Sequence, residues 1–226
     1  MVYSPLTTDT FTHSLGRMTI TAPQLTPQYG KIIVLNGTSS AGKSSLAKAM
    51  QVISTLPLHH VQLDAFRAME PPGYWDNWEV ERPAVADRRT AALCCAMHAA
   101  VLQYSLHGQQ TILDVAITNA YARQLFVEDL KDSPVYLIGV HCSKEELAKR
   151  ELARGDRKVG LAGSQIDWIH KRMRYDLQLD TTGRTPDDVA KEILAWLATD
   201  PERTALNETR AMLNAVKPIA QPDPLR

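Results

Sequence analysis

The segment Gly37-Thr-Ser-Ser-Ala-Gly42-Lys43-Ser44 sets two glycines, with four residues between them, ahead of a lysine and a serine. That spacing suits an oligophosphate. Glycines let the backbone wrap closely, successive amides donate to the oxygens, and a helix N-terminus adds positive potential. Lys43 is then placed to reach the β- and γ-phosphates, and the Ser44 hydroxyl to ligate Mg²⁺. The expected cofactors are ATP and Mg²⁺, and the expected phosphate-binding residues are Gly37, Thr38, Ser39, Ser40, Ala41, Gly42, Lys43, Ser44 and Ser45. The competing reading is a glycine turn that merely joins a strand to a helix.

Two carboxylates follow at a distance. Asp64 and Asp114 each close a strand-like run, and ligands of parallel sheets bind at the carboxyl ends of the strands. One acid there can accept or orient the proton of an attacking hydroxyl, while the other holds Mg²⁺ through its water shell. Either aspartate alone can instead cap a turn.

Arg150, Arg154 and Arg157 lie where a helical pattern gives way to Gly155. Such a cluster can close over a nucleotide and stabilise the charge that develops in phosphoryl transfer, or it can remain a solvated helix end. The stretch Pro71-Pro-Gly-Tyr-Trp-Asp-Asn-Trp78 can wall an acceptor pocket or pack on the core. His59, His60, His98, His107, His141 and His170 show no metal-ligand spacing, so no zinc site is expected.

These residues need a frame. Lys31-Ile-Ile-Val-Leu-Asn36 is a short β-branched run ending in glycine, as buried parallel strands are. Similar runs recur at His60-Val-Gln-Leu63, Gln110-Thr-Ile-Leu113, Val135-Tyr-Leu-Ile-Gly-Val140 and Tyr175-Asp-Leu-Gln-Leu179. Between them lie helical signals. A helix opens at Ser44, Leu93, Met97 and Val101 repeat at four-residue spacing, Ser143 and Glu146 form a capping box, and Thr185-Pro186 starts a further helix. This alternation predicts an α/β fold, a five-stranded parallel sheet with helices on both faces.

Residues 1–30, rich in Thr, Pro and Ser, read as a poorly ordered N-terminal arm, residues 31–200 as the phosphate-binding domain, and residues 201–226 as a C-terminal helix over Arg203 to Val216 followed by a Pro-rich tail.

The 25 Lys and Arg residues balance 25 Asp and Glu, so no overall field favours nucleic acid or a membrane as partner. Cys94, Cys95 and Cys142 form neither an even disulfide framework nor a paired metal spacing. With no secretory signal or apolar span legible, the expected compartment is the cytoplasm. Oligomeric state is left open.

Taken together, Ile33-Val-Leu-Asn-Gly-Thr-Ser-Ser-Ala-Gly-Lys-Ser44, Leu63-Asp-Ala65, Ile112-Leu-Asp114, Ile138-Gly-Val-His-Cys142, Arg150-Glu-Leu-Ala-Arg-Gly-Asp-Arg157 and Tyr175-Asp-Leu-Gln-Leu-Asp-Thr-Thr182 resemble the chloramphenicol phosphotransferase family, in order and in spacing, over approximately residues 31–200. The resemblance implies a P-loop kinase fold and transfer of the γ-phosphate of ATP to a hydroxyl of a small molecule. It makes Asp64 the catalytic base beside Lys43, and the arginine segment a lid in which Arg150 meets the nucleotide and Arg154 and Arg157 act in catalysis. Asp114 is assigned to the metal with Ser44. The chain departs from the family in its aromatic stretch 71–78, where the antibiotic kinase has a glycine-rich insertion, and in ending its third strand on one aspartate rather than two. A nucleoside or nucleotide-sugar acceptor, or a nucleotide-dependent switch, are the alternatives, though neither an Asn-Lys-x-Asp nor a Leu-Ser-Gly-Gly-Gln motif is present.

Overall fold

A computed structural model describes residues 29–74, 83–154 and 160–215. The expected arm before residue 29, the tail after residue 215 and the second half of the aromatic stretch, residues 75–78, lie outside the described residues.

Five parallel strands form one sheet in the order β2-β3-β1-β4-β5. They are β1 (Ile32–Asn36), β2 (Leu58–Gln62), β3 (Gln110–Val115), β4 (Val135–His141) and β5 (Leu177–Asp180). The helices that link and follow them are α1 (Lys43–Ile53), α2 (Leu63–Arg67), α3 (Pro83–Leu106), α4 (Ala120–Asp129), α5 (Lys144–Arg154), α6 (Leu161–Ile169), α7 (Pro186–Ala198) and α8 (Ala205–Asn214). Among the described residues no helix is long and apolar enough to cross a membrane.

Strand parity divides the core. Ile33, Leu35, Ile112, Ile138 and Val140 join residues of α1, α5 and α7 on one face. Ile32, Val34, Leu113, Val135 and Leu137 join residues of α3, α4 and α8 on the other. All five residues of β1 are buried, which explains why a central strand reads as a continuous apolar run rather than an alternating one. Burial of each large aliphatic side chain contributes about 1.5–3 kcal/mol before chain entropy is counted.

The five expected strands are all present, with shifted ends. β2 begins at Leu58 and stops at Gln62, so Asp64 does not close a strand. It sits in the first turn of the short helix α2, because the chain turns helical immediately after Gln62. Asp114 is the penultimate residue of β3 rather than its end. β5 starts two residues later than the expected run. Tyr175 and Asp176 are taken out of the strand by other bonds: Asp176 accepts from Leu137 N at 2.8 Å and from Thr204 N and Ala205 N at 2.9 Å, capping α8.

Helix starts were partly legible. Thr185 Oγ1 accepts from Asp188 N with Pro186 in the first turn, as expected. The box at α5 is only half formed. Ser143 Oγ accepts from Glu146 N at 3.2 Å, but the Glu146 carboxylate turns to Arg150 Nε at 2.9 Å, and Ser143 N donates instead to Thr182 Oγ1.

Candidate active site

The loop from Gly37 to Gly42 leaves the buried end of β1 and delivers Lys43 and Ser44 to the first turn of α1. Two positions need glycine. A Cβ at Gly37 would lie 2.3 Å from Val140 O, where β4 crowds the loop. Gly42 has φ +90°, a left-handed conformation that side chains disfavour.

Lys43 is folded back into its own loop. Its Nζ donates to Gly37 O and Thr38 O, both at 2.9 Å, and lies 3.8 Å from Asp114 Oδ1. Ser44 Oγ donates to Asp114 Oδ2 at 2.6 Å. Sheet register brings this about, since Asp114 stands opposite Leu35 on β1 and Gln62 on β2, at the strand ends from which the loop and α2 depart.

Asp114 is 7% exposed. Burial alone would raise its pKa, but nearby His60, the Lys43 ammonium and the Ser44 hydroxyl together hold it below the ordinary carboxylate value. His60 Nε2 is 3.4 Å from Asp114 Oδ2, an electrostatic approach rather than an aligned hydrogen bond. The site thus keeps an anionic oxygen beside a hydroxyl and an ammonium, which is the donor set that Mg²⁺ and a phosphate require. The buried Ser40 Oγ in the same loop has no hydrogen-bond partner among the described residues, a polar atom left for a ligand to satisfy. ATP and Mg²⁺ therefore fit the residues present.

Two cavities flank Gly42. One, of about 110 Å³, is bounded by Ser39, Ser40, Lys43, Ser44, Asp64 and Asp114. Despite leaving the strand, exposed Asp64 still reaches the rim of the phosphate cradle. The other, of about 220 Å³, is bounded by Gly42, Ser45, Arg150, Thr181, Arg184 and Pro186. Arg150 donates to Thr181 O at 2.9 Å, and a Cβ at Gly42 would meet its Nη1 at 3.3 Å, so this arginine is tied to the phosphate loop from behind.

Of the expected site residues, the structure brings together the loop, Lys43, Ser44, Asp64, Asp114 and Arg150. The backbone of Arg154 ends α5, while its side chain and all of Arg157 lie outside the described residues. Of the aromatic stretch, Tyr74 is described, and its carbonyl and ring both meet Arg89. Among the described residues no cluster of His, Cys, Asp and Glu could hold a metal by itself.

Sequence reasoning missed a polar network beside the loop. Asn36 Nδ2 donates to Tyr175 Oη at 2.7 Å, Asn36 Oδ1 accepts from Ile117 N at 3.0 Å, and Tyr175 Oη lies 2.8 Å from His170 Nδ1. It also missed Thr181, whose Oγ1 donates to Ala41 O at 2.9 Å, and Gln165, whose Oε1 accepts from Ser39 N at 2.7 Å. No local signal marks these residues, because each meets the loop across more than 100 positions of chain.

The family model described as chloramphenicol phosphotransferase-like protein matches residues 30–198. A curated Mycobacterium tuberculosis protein, named provisionally as an O-phosphotransferase, is 34% identical, the match covering 80% of this chain and 88% of the relative. Among solved structures, the M. tuberculosis APS kinase CysC in complex with AMPPNP and APS is similar at a TM-score of 0.57 and 18% identity, over 76% of this chain and 99% of that one. Shikimate kinase from Acinetobacter baumannii in complex with shikimate gives 0.55 and 14%, over 78% and 97%. A gluconokinase from Sinorhizobium meliloti gives 0.52 and 19%, over 76% and 93%. At these identities the structural neighbours establish the fold, that of P-loop kinases.

Proposed function

The chain belongs to the chloramphenicol phosphotransferase-like family and is an enzyme that acts as a kinase, and from that premise we propose that it transfers the γ-phosphate of ATP to a hydroxyl of a small molecule. The observation that carries this reading is the junction of Lys43, Ser44 and Asp114 at the base of one cradle, with Asp64 on its rim.

The phosphates lie along the amides of Gly37 to Ser45, and the base and ribose occupy the cavity beside Arg150 and Thr181. Ser44 and Asp114 would hold Mg²⁺, whose positive charge would offset that of the phosphate oxygens. Lys43 leaves the loop carbonyls for the γ-phosphate and follows its charge into the transition state. Asp64 orients the acceptor hydroxyl and finally takes its proton. Arg154 and Arg157 keep the role the resemblance gives them, stabilising the charge that develops in phosphoryl transfer. The proposed compartment is the cytoplasm, consistent with the three free cysteines.

ADP release is the test. The protein is incubated with Mg-ATP alone, then with pooled hydroxylated metabolites, beside the Lys43→Ala variant. Acceptor-dependent release is expected from the wild type. From the variant release is expected to be about 10²–10³-fold slower, with the fold preserved by circular dichroism. Release that no acceptor stimulates favours a nucleotide switch, and near-normal turnover by Lys43→Ala overturns the assignment of the loop.

A further inference from the structure

One amide of the phosphate loop is already bonded to a side chain from elsewhere. Ser39 N donates to Gln165 Oε1 at 2.7 Å, across 126 residues of chain. Because an amide N–H needs an acceptor, this bond fixes which end of the Gln165 amide faces the loop, and its Nε2 must point away. Among the described residues that Nε2 has no hydrogen-bond partner, so two N–H donors are left over.

The position of this contact along the cradle matters. Lys43 Nζ is held by Gly37 O and Thr38 O, and the loop lysine serves the β- and γ-phosphates. Ser39 lines the cavity bounded by Lys43, Ser44, Asp64 and Asp114 and not the one beside Arg150 assigned to the adenosine, so the Gln165 amide stands on the γ side of the cradle.

Gln165 is also carried on a helix whose two ends are secured. The buried Glu151 carboxylate accepts from Gly160 N at 2.9 Å and Ala162 N at 2.7 Å, holding the start of α6. At its other end, Ile169 O accepts from Asn36 Nδ2 at 3.3 Å and Trp168 O from Arg123 Nη2 at 3.2 Å. A donor held in this way loses little freedom on meeting its target, which is the condition under which an amide stabilises developing charge.

We propose that Gln165 binds the transferring phosphoryl group: Oε1 stays on Ser39 N–H while Nε2 donates to a γ-phosphoryl oxygen. Donation strengthens as the group flattens and negative charge spreads over its equatorial oxygens. This rests on the kinase reading above and adds a residue to it, from a segment C-terminal to the arginines.

The test needs no acceptor. Affinity of the full chain for Mg-ADP is measured with and without aluminium fluoride, a planar stand-in for the phosphoryl group in flight, for the wild type, Gln165→Leu and Gln165→Glu. The glutamate keeps an acceptor for Ser39 N–H and loses the donors, so it separates donation from support of the loop. Both variants are expected to bind Mg-ADP like the wild type and to lose at least about tenfold of the tightening that aluminium fluoride produces, the scale of a hydrogen bond to a charged group. Unchanged tightening in either variant overturns the proposal. So does a fall in ADP affinity that matches the fall with fluoride, or a wild type that gains nothing from fluoride. A wild type that fails to bind Mg-ADP at all would instead remove the kinase reading beneath it.

Discussion

Ser44 Oγ and Asp114 Oδ2 are 2.6 Å apart although 70 residues separate them, so the first turn of α1 and the end of β3 meet at a single carboxylate. The contact follows from strand order. β3 lies directly beside β1, which puts the residue opposite Leu35 within reach of the helix that follows the loop. Lys43 and His60 approach the same carboxylate and favour its ionised form.

Asp114→Asn keeps the shape and removes the charge. If Asp114 holds Mg²⁺ through its water shell, affinity for Mg-ATP should fall by about 10–100-fold, the usual consequence of losing an outer partner of a metal. Affinity for ATP in excess EDTA should be unchanged. Calorimetric titrations under both conditions make the comparison, and equal affinities with magnesium would take Asp114 out of the metal's service.

Asp64→Asn is expected to bind ATP nearly normally and to lose turnover by about 10²–10⁴-fold, the scale of a general base. A smaller loss is compatible with a loose transition state that needs little deprotonation before the phosphoryl group moves. Affinity and turnover are to be measured on one preparation. Weakened ATP binding with unchanged single-turnover chemistry would move Asp64 from the acceptor to the nucleotide.

His170 supplies a pH dependence. Asn36 Nδ2 donates to Tyr175 Oη, and the same oxygen lies 2.8 Å from His170 Nδ1, which a neutral ring can offer as an acceptor. Burial, the His141 ring 3.9 Å away and Lys43 push His170 down to about 4 from its ordinary 6.5. Between those values the unfolded chain takes a proton that the folded one refuses. Its contribution to stability is therefore whole above about pH 6.5 and is lost as pH falls through 4. The melting temperature of the wild type should drop more steeply between pH 7 and pH 4.5 than that of His170→Gln, and parallel curves would show that this histidine does not govern the acid response.

The local chemistry was legible because it is contiguous. A phosphate loop is built from neighbouring residues, so glycine spacing, lysine and serine announce it without knowledge of the fold. The β-branched run before it and the helix signal after it likewise report on neighbours, and their alternation along the chain was enough for a parallel sheet with two covered faces. Boundaries were less legible. Asp64 fell into α2 because the chain turns helical directly after Gln62, and Tyr175 fell outside β5, where its hydroxyl bonds the distant Asn36.

By itself, then, the sequence determined where a loop with phosphate-loop spacing lies and that helices and strands alternate around it. Tertiary structure alone decided how Asp114 meets Ser44, which histidine approaches that carboxylate, and that Gln165, Thr181 and the Tyr175–His170 pair reach the loop and the strand before it. The contacts with Asp114 and with the loop span from about fifty to 140 residues and arise from strand order and register. Both are set by the packing of the whole sheet, to which no short stretch of residues has access.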